Sequence, residues 1–239
     1  MREVITFFGA EPKVGTTMVA QSVAEELLNA GYKTLLIFAS SELYDAYLNT
    51  ESNETSIDDL RELEKLEPKD ISRVIKTISG LDYIKGVVKP FKIRYFNPNI
   101  LPELIEVVKN KYDYIVIDVG SNYQYPLPIS ALLAADRRFF VVTQNPKAVL
   151  KLNNLMETLL ASPVFKKKKT KDELIVNKHA KDGVYSTDNI QKLMNLNASV
   201  VSNVPGSASC EATKQTLNKI NKTYRANISD ITKKILGEV

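Results

Sequence analysis

Short apolar runs alternate along this chain with segments whose apolar residues recur every three or four positions. The runs at 4–8, 34–38, 83–88, 114–118, 138–143, 174–177 and 200–204 predict strands. The helical spacing predicts helices at 17–29, 57–65, 71–78, 102–109, 127–134, 148–161, 187–194 and 213–236. Several strands, such as LLIF and YIVI, are apolar at every position, as expected when helices cover both sheet faces. The alternation of β and α predicts an α/β fold: a doubly wound, mainly parallel β-sheet flanked by helices. Ligands of such folds bind beyond the carboxyl ends of the strands. Those ends fall at 9–17, 39–43, 118–121, 143–146, 177–179 and 205–209.

The chain has 239 residues and is 44% hydrophobic, which suits a single domain spanning 1–239. A net charge of +4 would suit an acidic partner, nucleic acid or an anionic membrane, without the strong bias of a dedicated DNA binder. One cysteine, Cys210, excludes an internal disulfide framework and points to a reducing cytoplasm. No stretch reads as a membrane span or a signal peptide. With His179 as the only histidine, a His-based metal site or triad has little material.

The first strand–loop–helix, ITFFGAEPKVGTTMVA, reads as a phosphate-binding loop. Its order places backbone N–H groups and a helix start where a phosphate can sit. Against the pattern G-x-x-x-x-G-K-[ST], Ala10 stands at the first Gly and Gly15 at the second. Thr16 stands at the Lys and Thr17 at the Mg²⁺-binding hydroxyl. Lys13 is the loop's remaining cation, either swung onto a phosphate or simply solvated. Asp118 ends an apolar strand and is followed by Gly120. Its carboxylate either holds a Mg²⁺-bound water beside the phosphates or caps a turn. Gly120 would let backbone approach a terminal phosphate.

In order and spacing these motifs resemble the MinD/ParA group of P-loop ATPases over nearly the whole chain. Within it, Val14-Gly15-Thr16-Thr17 is most similar to the loop ending of the CpaE/TadZ pilus-localisation branch. The resemblance implies that ATP and Mg²⁺ are the cofactors, with Thr17 and Asp118 as metal-side residues. It makes Lys13, Val14, Gly15, Thr16, Thr17, Asp118, Gly120, Asn177 and Pro205 the nucleotide-binding set. Asn177, in IVNK, corresponds to a residue contacting the base, and Pro205, in VVSNVP, begins the loop covering it. The departures are as informative. The family's signature Lys falls on Glu11, its glycines on Pro12 and Lys13, and its Walker Lys on Thr16. Its second strand ends D-x-D, whereas this one ends Phe38-Ala39-Ser40; Glu42 and Asp45 lie just beyond.

Losing one preorganised charge costs on the order of 10²–10³ in rate. Very slow or absent ATP hydrolysis is therefore expected, and no catalytic residue is assigned. The resemblance implies a homodimer that acts as a spatial organiser for pilus or secretion machinery, cytoplasmic and recruited to a membrane or pole. An active ParA-like partition ATPase that binds DNA non-specifically is the alternative. A tyrosine-kinase-like P-loop domain is a third reading, disfavoured because only Tyr224 stands near the C-terminus. The basic run FKKKKTK (165–171) reads as a solvated loop or an acidic-partner contact. The apolar stripe of 213–236 reads as core packing or a membrane-lying helix.

Overall fold

The computed structural model describes residues 1–40, 47–50, 55–166 and 169–238. Eight strands form one sheet in the order β3-β4-β2-β5-β1-β6-β7-β8. They are β1 (Glu3–Gly9), β2 (Thr34–Phe38), β3 (Ile75–Ile78), β4 (Leu81–Ile84), β5 (Tyr114–Gly120), β6 (Arg137–Val142), β7 (Lys171–His179) and β8 (Ala198–Ser202). All neighbours are parallel except β3 and β4. The expected doubly wound parallel sheet is therefore present.

The alternation of each strand divides the core. Leu35 and Ile37 face one side of the sheet, Leu36 and Phe38 the other, and all four are fully buried. One side is covered by α1 (Thr16–Asn29) and α10 (Lys222–Leu236). The other carries α2 (Pro68–Val74), α3 (Ile100–Val108), α4 (Pro126–Ala134), α5 (Pro146–Ala161) and α7 (Thr187–Met194). Short helices α6 (Pro163–Lys166), α8 (Ser207–Thr213) and α9 (Leu217–Ile220) complete the set.

Three expectations need correction. The helix expected at 71–78 stops at Val74, and the chain becomes edge strand β3. Ile71, Val74, Ile75 and Ile78 carry helical spacing, but Ser79 and Gly80 both have positive φ (50° and 85°). Two such residues make the tight turn of a β-hairpin, and the hairpin wins over periodicity. The helix expected at 57–65 is a single 3₁₀ turn, Ile57–Leu60, capped by Ser56. The long helix expected at 213–236 is broken. Lys214 sits at φ 51°, and Asn221 accepts a hydrogen bond from the Tyr224 N–H to start α10 afresh.

The stripe of the last helix belongs to the core: Tyr224, Ile228, Ile231 and Ile235 are buried, with α10 packed on α1 and β8. Leu217 is buried too and only Ile220 of the stripe is exposed, which leaves no apolar face for a membrane. Among the described residues no helix is long and apolar enough to cross one. The run 165–171 precedes β7 and so lies at the amino end of the parallel strands, away from the loop after β1. Residues 167 and 168 of that run are outside the described residues.

That amino end is tied by charge. The Arg137 guanidinium bonds Glu3 at 3.1 and 3.2 Å and also Glu173, joining β1, β6 and β7. Arg138 makes a bidentate pair with Asp172 at 2.6 and 2.9 Å. The Arg137 side chain is 6% exposed, against 12% for Glu3 and 20% for Glu173. Arg137→Met would leave two half-shielded carboxylates facing one another. It is expected to cost about 3 kcal/mol in urea unfolding, the low end for breaking a buried pair. A loss under about 1 kcal/mol would show that the network behaves as an exposed one.

Candidate functional site

At the carboxyl end of β1 the chain turns through 10–15 into α1. Two residues there adopt positive φ, Lys13 at 67° and Gly15 at 93°. Such turns direct successive backbone N–H groups inward, the geometry of an anion nest. Helix α1 begins without a side-chain cap and without acidic residues in its first turn. Its first N–H groups and the positive end of its dipole are thus left for a ligand.

Gly15 has no alternative. A Cβ built there would lie 2.4 Å from Nδ2 of Asn177, in a backbone region that L-residues seldom adopt. Asn177 is buried, and its amide donates to the Val14 carbonyl at 2.8 Å. Lys178, at φ 53°, donates from Nζ to the Lys13 carbonyl at 2.8 Å. Both come from an irregularity in the β7–β8 pairing between Val176 and His179. That bulge turns two consecutive side chains onto the loop and holds its backbone from below. Asn177 also lines the cleft beside the loop it braces.

Thr16, at the position of the pattern's lysine, packs against Gly9. A Cβ added to Gly9 would fall 2.2 Å from Thr16 Oγ1 and 3.0 Å from Val14 Cγ2. The Thr16 hydroxyl therefore folds back over Gly9 and fills the hollow at the foot of the loop. Thr17 stands half-buried one residue on. Asp118 is fully buried between Phe7 of β1 and Phe38 of β2, and its Oδ1 accepts the Gly120 N–H at 3.1 Å. Gly120 adopts φ 68°.

The loop opens on a cleft of about 810 Å³. Of the residues singled out from the sequence, Lys13, Gly15, Thr16, Thr17, Gly120 and Asn177 line it. Val14 and Asp118 lie behind its wall, and Pro205 is exposed outside it. Glu42 and Asp45 fall outside the described residues. His179 closes β7, where its carbonyl accepts the Asn203 N–H, and it does not line the cleft.

Sequence reasoning missed the rest of the cleft lining. Met18, Val204, Leu217 and Tyr224 form an apolar wall there, with Tyr47, Ser207 and Glu211 as polar groups beside it. Burial pushes the Tyr47 phenol up to about 12, and the charges of Glu211, Cys210 and Asp118 add to the shift. Tyr47 is thus a neutral hydrogen-bond donor near pH 7. The signal for this wall was the break in the terminal helix, which brings Ser207–Thr213 and Leu217–Ile220 over the cleft as separate turns.

A cleft that combines an anion nest with apolar lining and hydrogen-bonding groups fits a nucleotide. The donor set fits its magnesium too, since Thr17 and Asp118 offer a hydroxyl and a carboxylate near the phosphate end. Among the described residues no cluster of three His, Cys, Asp or Glu could hold a metal alone, so phosphate oxygens would have to complete the shell.

This fold, with its loop after β1, is that of the ParA/MinD-type P-loop ATPases. The crystal structure of a ParA family ATPase from Chlorobium tepidum TLS has a TM-score of 0.84 at 20% identity, covering 97% of each chain. The septum site-determining protein MinD of Pyrococcus horikoshii OT3, complexed with Mg-ADP, scores 0.81 at 17% identity, covering 98% of this chain and 96% of that one. An ATP complex of McdA from Cyanothece scores 0.78 at 14% identity, with 99% and 96% covered. No protein-family model and no curated protein sequence matches the chain.

Proposed function

We propose that the chain is a degenerate ParA/MinD-like nucleotide-binding protein. It takes ATP with Mg²⁺ in the cleft after β1 and hydrolyses it very slowly or not at all. Its output is binding: a homodimer that organises a protein assembly, of the pilus or secretion kind that the CpaE/TadZ-like loop ending suggests. Support for the ligand comes from solved relatives in fold that carry Mg-ADP or ATP.

The observation carrying the proposal is the state of the loop. Its backbone cradle is intact and braced by Asn177 and Lys178. Its charge is not: Thr16, packed on Gly9, stands at the position of the pattern's lysine, Glu11 lines the cleft, and Pro12 supplies no N–H. Binding through backbone dipoles survives such changes, whereas transition-state neutralisation does not.

Titration calorimetry with ATP and Mg²⁺, paired with light scattering, tests this. Binding with a monomer-to-dimer shift is expected. Thr17→Ala and Asp118→Ala should each weaken Mg-ATP binding about tenfold, close to 1.4 kcal/mol. Unchanged affinity in both variants, or no binding at millimolar ATP, would refute the site. Turnover near ~1 s⁻¹, the low end for ordinary enzymes, would refute the degeneracy and favour an active partition-type ATPase.

A further inference from the structure

The segment from Tyr83, near the end of β4, to Pro102 has no acidic residue and carries the buried Lys85 together with Lys89, Lys92 and Arg94. Its centre, Pro90–Tyr95, is a 3₁₀ turn. Two side chains pin the turn to the core: Ile93 is 2% exposed and Phe96 3%. Two others stand away from it: Phe91 is 63% exposed and Tyr95 64%, with Val88 beside them at 38%. These are the most exposed aromatic side chains among the described residues. The turn is held rigidly from behind, because the Asp58 carboxylate accepts the Val88 and Lys89 N–H groups at 2.9 and 3.3 Å. Phe91 and Tyr95 are therefore presented by a fixed scaffold. Contiguous apolar exposure of this kind marks a contact site.

We propose that this turn is a membrane-contact knuckle, seating Phe91, Tyr95 and Val88 in the interfacial layer of an anionic lipid surface while Lys89, Lys92 and Arg94 engage the headgroups. Charge complementarity selects an anionic partner for a segment with no carboxylate of its own. Shape and composition select lipid over nucleic acid. Single-stranded nucleic acid is held in a basic groove with stacking platforms. Here the clefts of about 810 and 600 Å³ include no residue of 86–100, and the exposed apolar groups include an aliphatic side chain, Val88, which offers no ring to stack on. Aromatic rings flanked by Lys and Arg match the headgroup layer. The contact is peripheral and independent of the nucleotide site.

The chain contains no tryptophan, so Phe91→Trp places a single emitter on the knuckle. Without nucleotide, its emission should shift blue on vesicles of equimolar phosphatidylcholine and phosphatidylglycerol, and stay unchanged on phosphatidylcholine alone. The unmodified chain should co-sediment with the anionic vesicles. Phe91→Ser/Tyr95→Ser and Lys89→Glu/Arg94→Glu should each lower that binding about tenfold or more. All four side chains are exposed, so circular dichroism should show both variants folded. Absent co-sedimentation, equal binding by the variants, or a response only to oligothymidylate would overturn the proposal, the last in favour of a nucleic-acid surface. None of these results bears on Mg-ATP binding.

Discussion

Gly9→Ala is expected to destabilise the protein by about 2–3 kcal/mol and to abolish measurable Mg-ATP binding, although it adds only one methyl group. Backbone freedom is not the reason, because Gly9 is absent from the positive-φ residues. The reason is space. The new Cβ would meet Thr16 Oγ1 at 2.2 Å and Val14 Cγ2 at 3.0 Å. Neither neighbour retreats without cost. Thr16 is 6% exposed in the first turn of α1, and Val14 is 2% exposed with its carbonyl held by Asn177. The strain must pass into the loop backbone, whose N–H groups are the proposed ligand contacts. The pair can be separated. Thr16→Ala removes the closer atom, so Gly9→Ala/Thr16→Ala should recover at least half of the lost stability, a coupling of about 1 kcal/mol or more. Urea unfolding of the four proteins measures it. If the double variant is no more stable than Gly9→Ala, the two side-chain positions do not share the hollow.

Much of this arrangement was legible in the residues. β2 matches its apolar run end to end, and α7 matches its periodic segment, because nothing in either competes with the pattern. The loop after β1 was legible from Gly15-Thr16-Thr17 at the junction of an apolar run and an amphipathic one. Asp118 was legible as the polar end of the apolar strand that pairs with β1. The unread parts have two physical causes: local turn and cap signals too weak to override a periodic pattern, and contacts distant in sequence. The β3–β4 hairpin lies under a helical spacing, and only the turn at Ser79-Gly80 betrays it. The break at 214–221 follows from two local signals, Lys214 in a left-handed conformation and Asn221 as a cap, neither strong enough to interrupt a periodic stripe on paper. The brace beneath the loop requires a bulge between β7 and β8, and a bulge is a property of paired strands. Sequence placed Asn177 at the site; strand pairing decides that it meets the loop backbone.

Installing the missing charges should raise ATP turnover about 10²-fold or more above the unmodified chain, since each restored transition-state group is worth on the order of 10²–10³. The substitutions are Thr16→Lys and Ser40→Asp. Thr16 lines the cleft, so a lysine stem can leave the Gly9 hollow and carry its ammonium to the phosphates. Ser40 follows β2, whose Phe38 is in register with Asp118, and Ala39 donates its N–H to the Asp118 carbonyl at 2.8 Å. A carboxylate at 40 therefore arrives on the Asp118 side of the loop, where a water attacking the terminal phosphate would need a base. It also adds a second buried carboxylate to this strand end, because Ser40 is 4% and Asp118 0% exposed. Ser40→Asp alone should thus be less stable than the parent without magnesium, and should regain that stability with Mg-ATP. Each single substitution should fall well short of the pair, since positioning the nucleophile and neutralising the leaving charge are separate requirements of phosphoryl transfer. Single-turnover assays of the four proteins decide it. No gain in the double variant would mean that missing side chains are not the obstacle. The obstacle would then be the loop itself, where Pro12 removes a donor and Glu11 lines the cleft, and the chain would be a binder by backbone design.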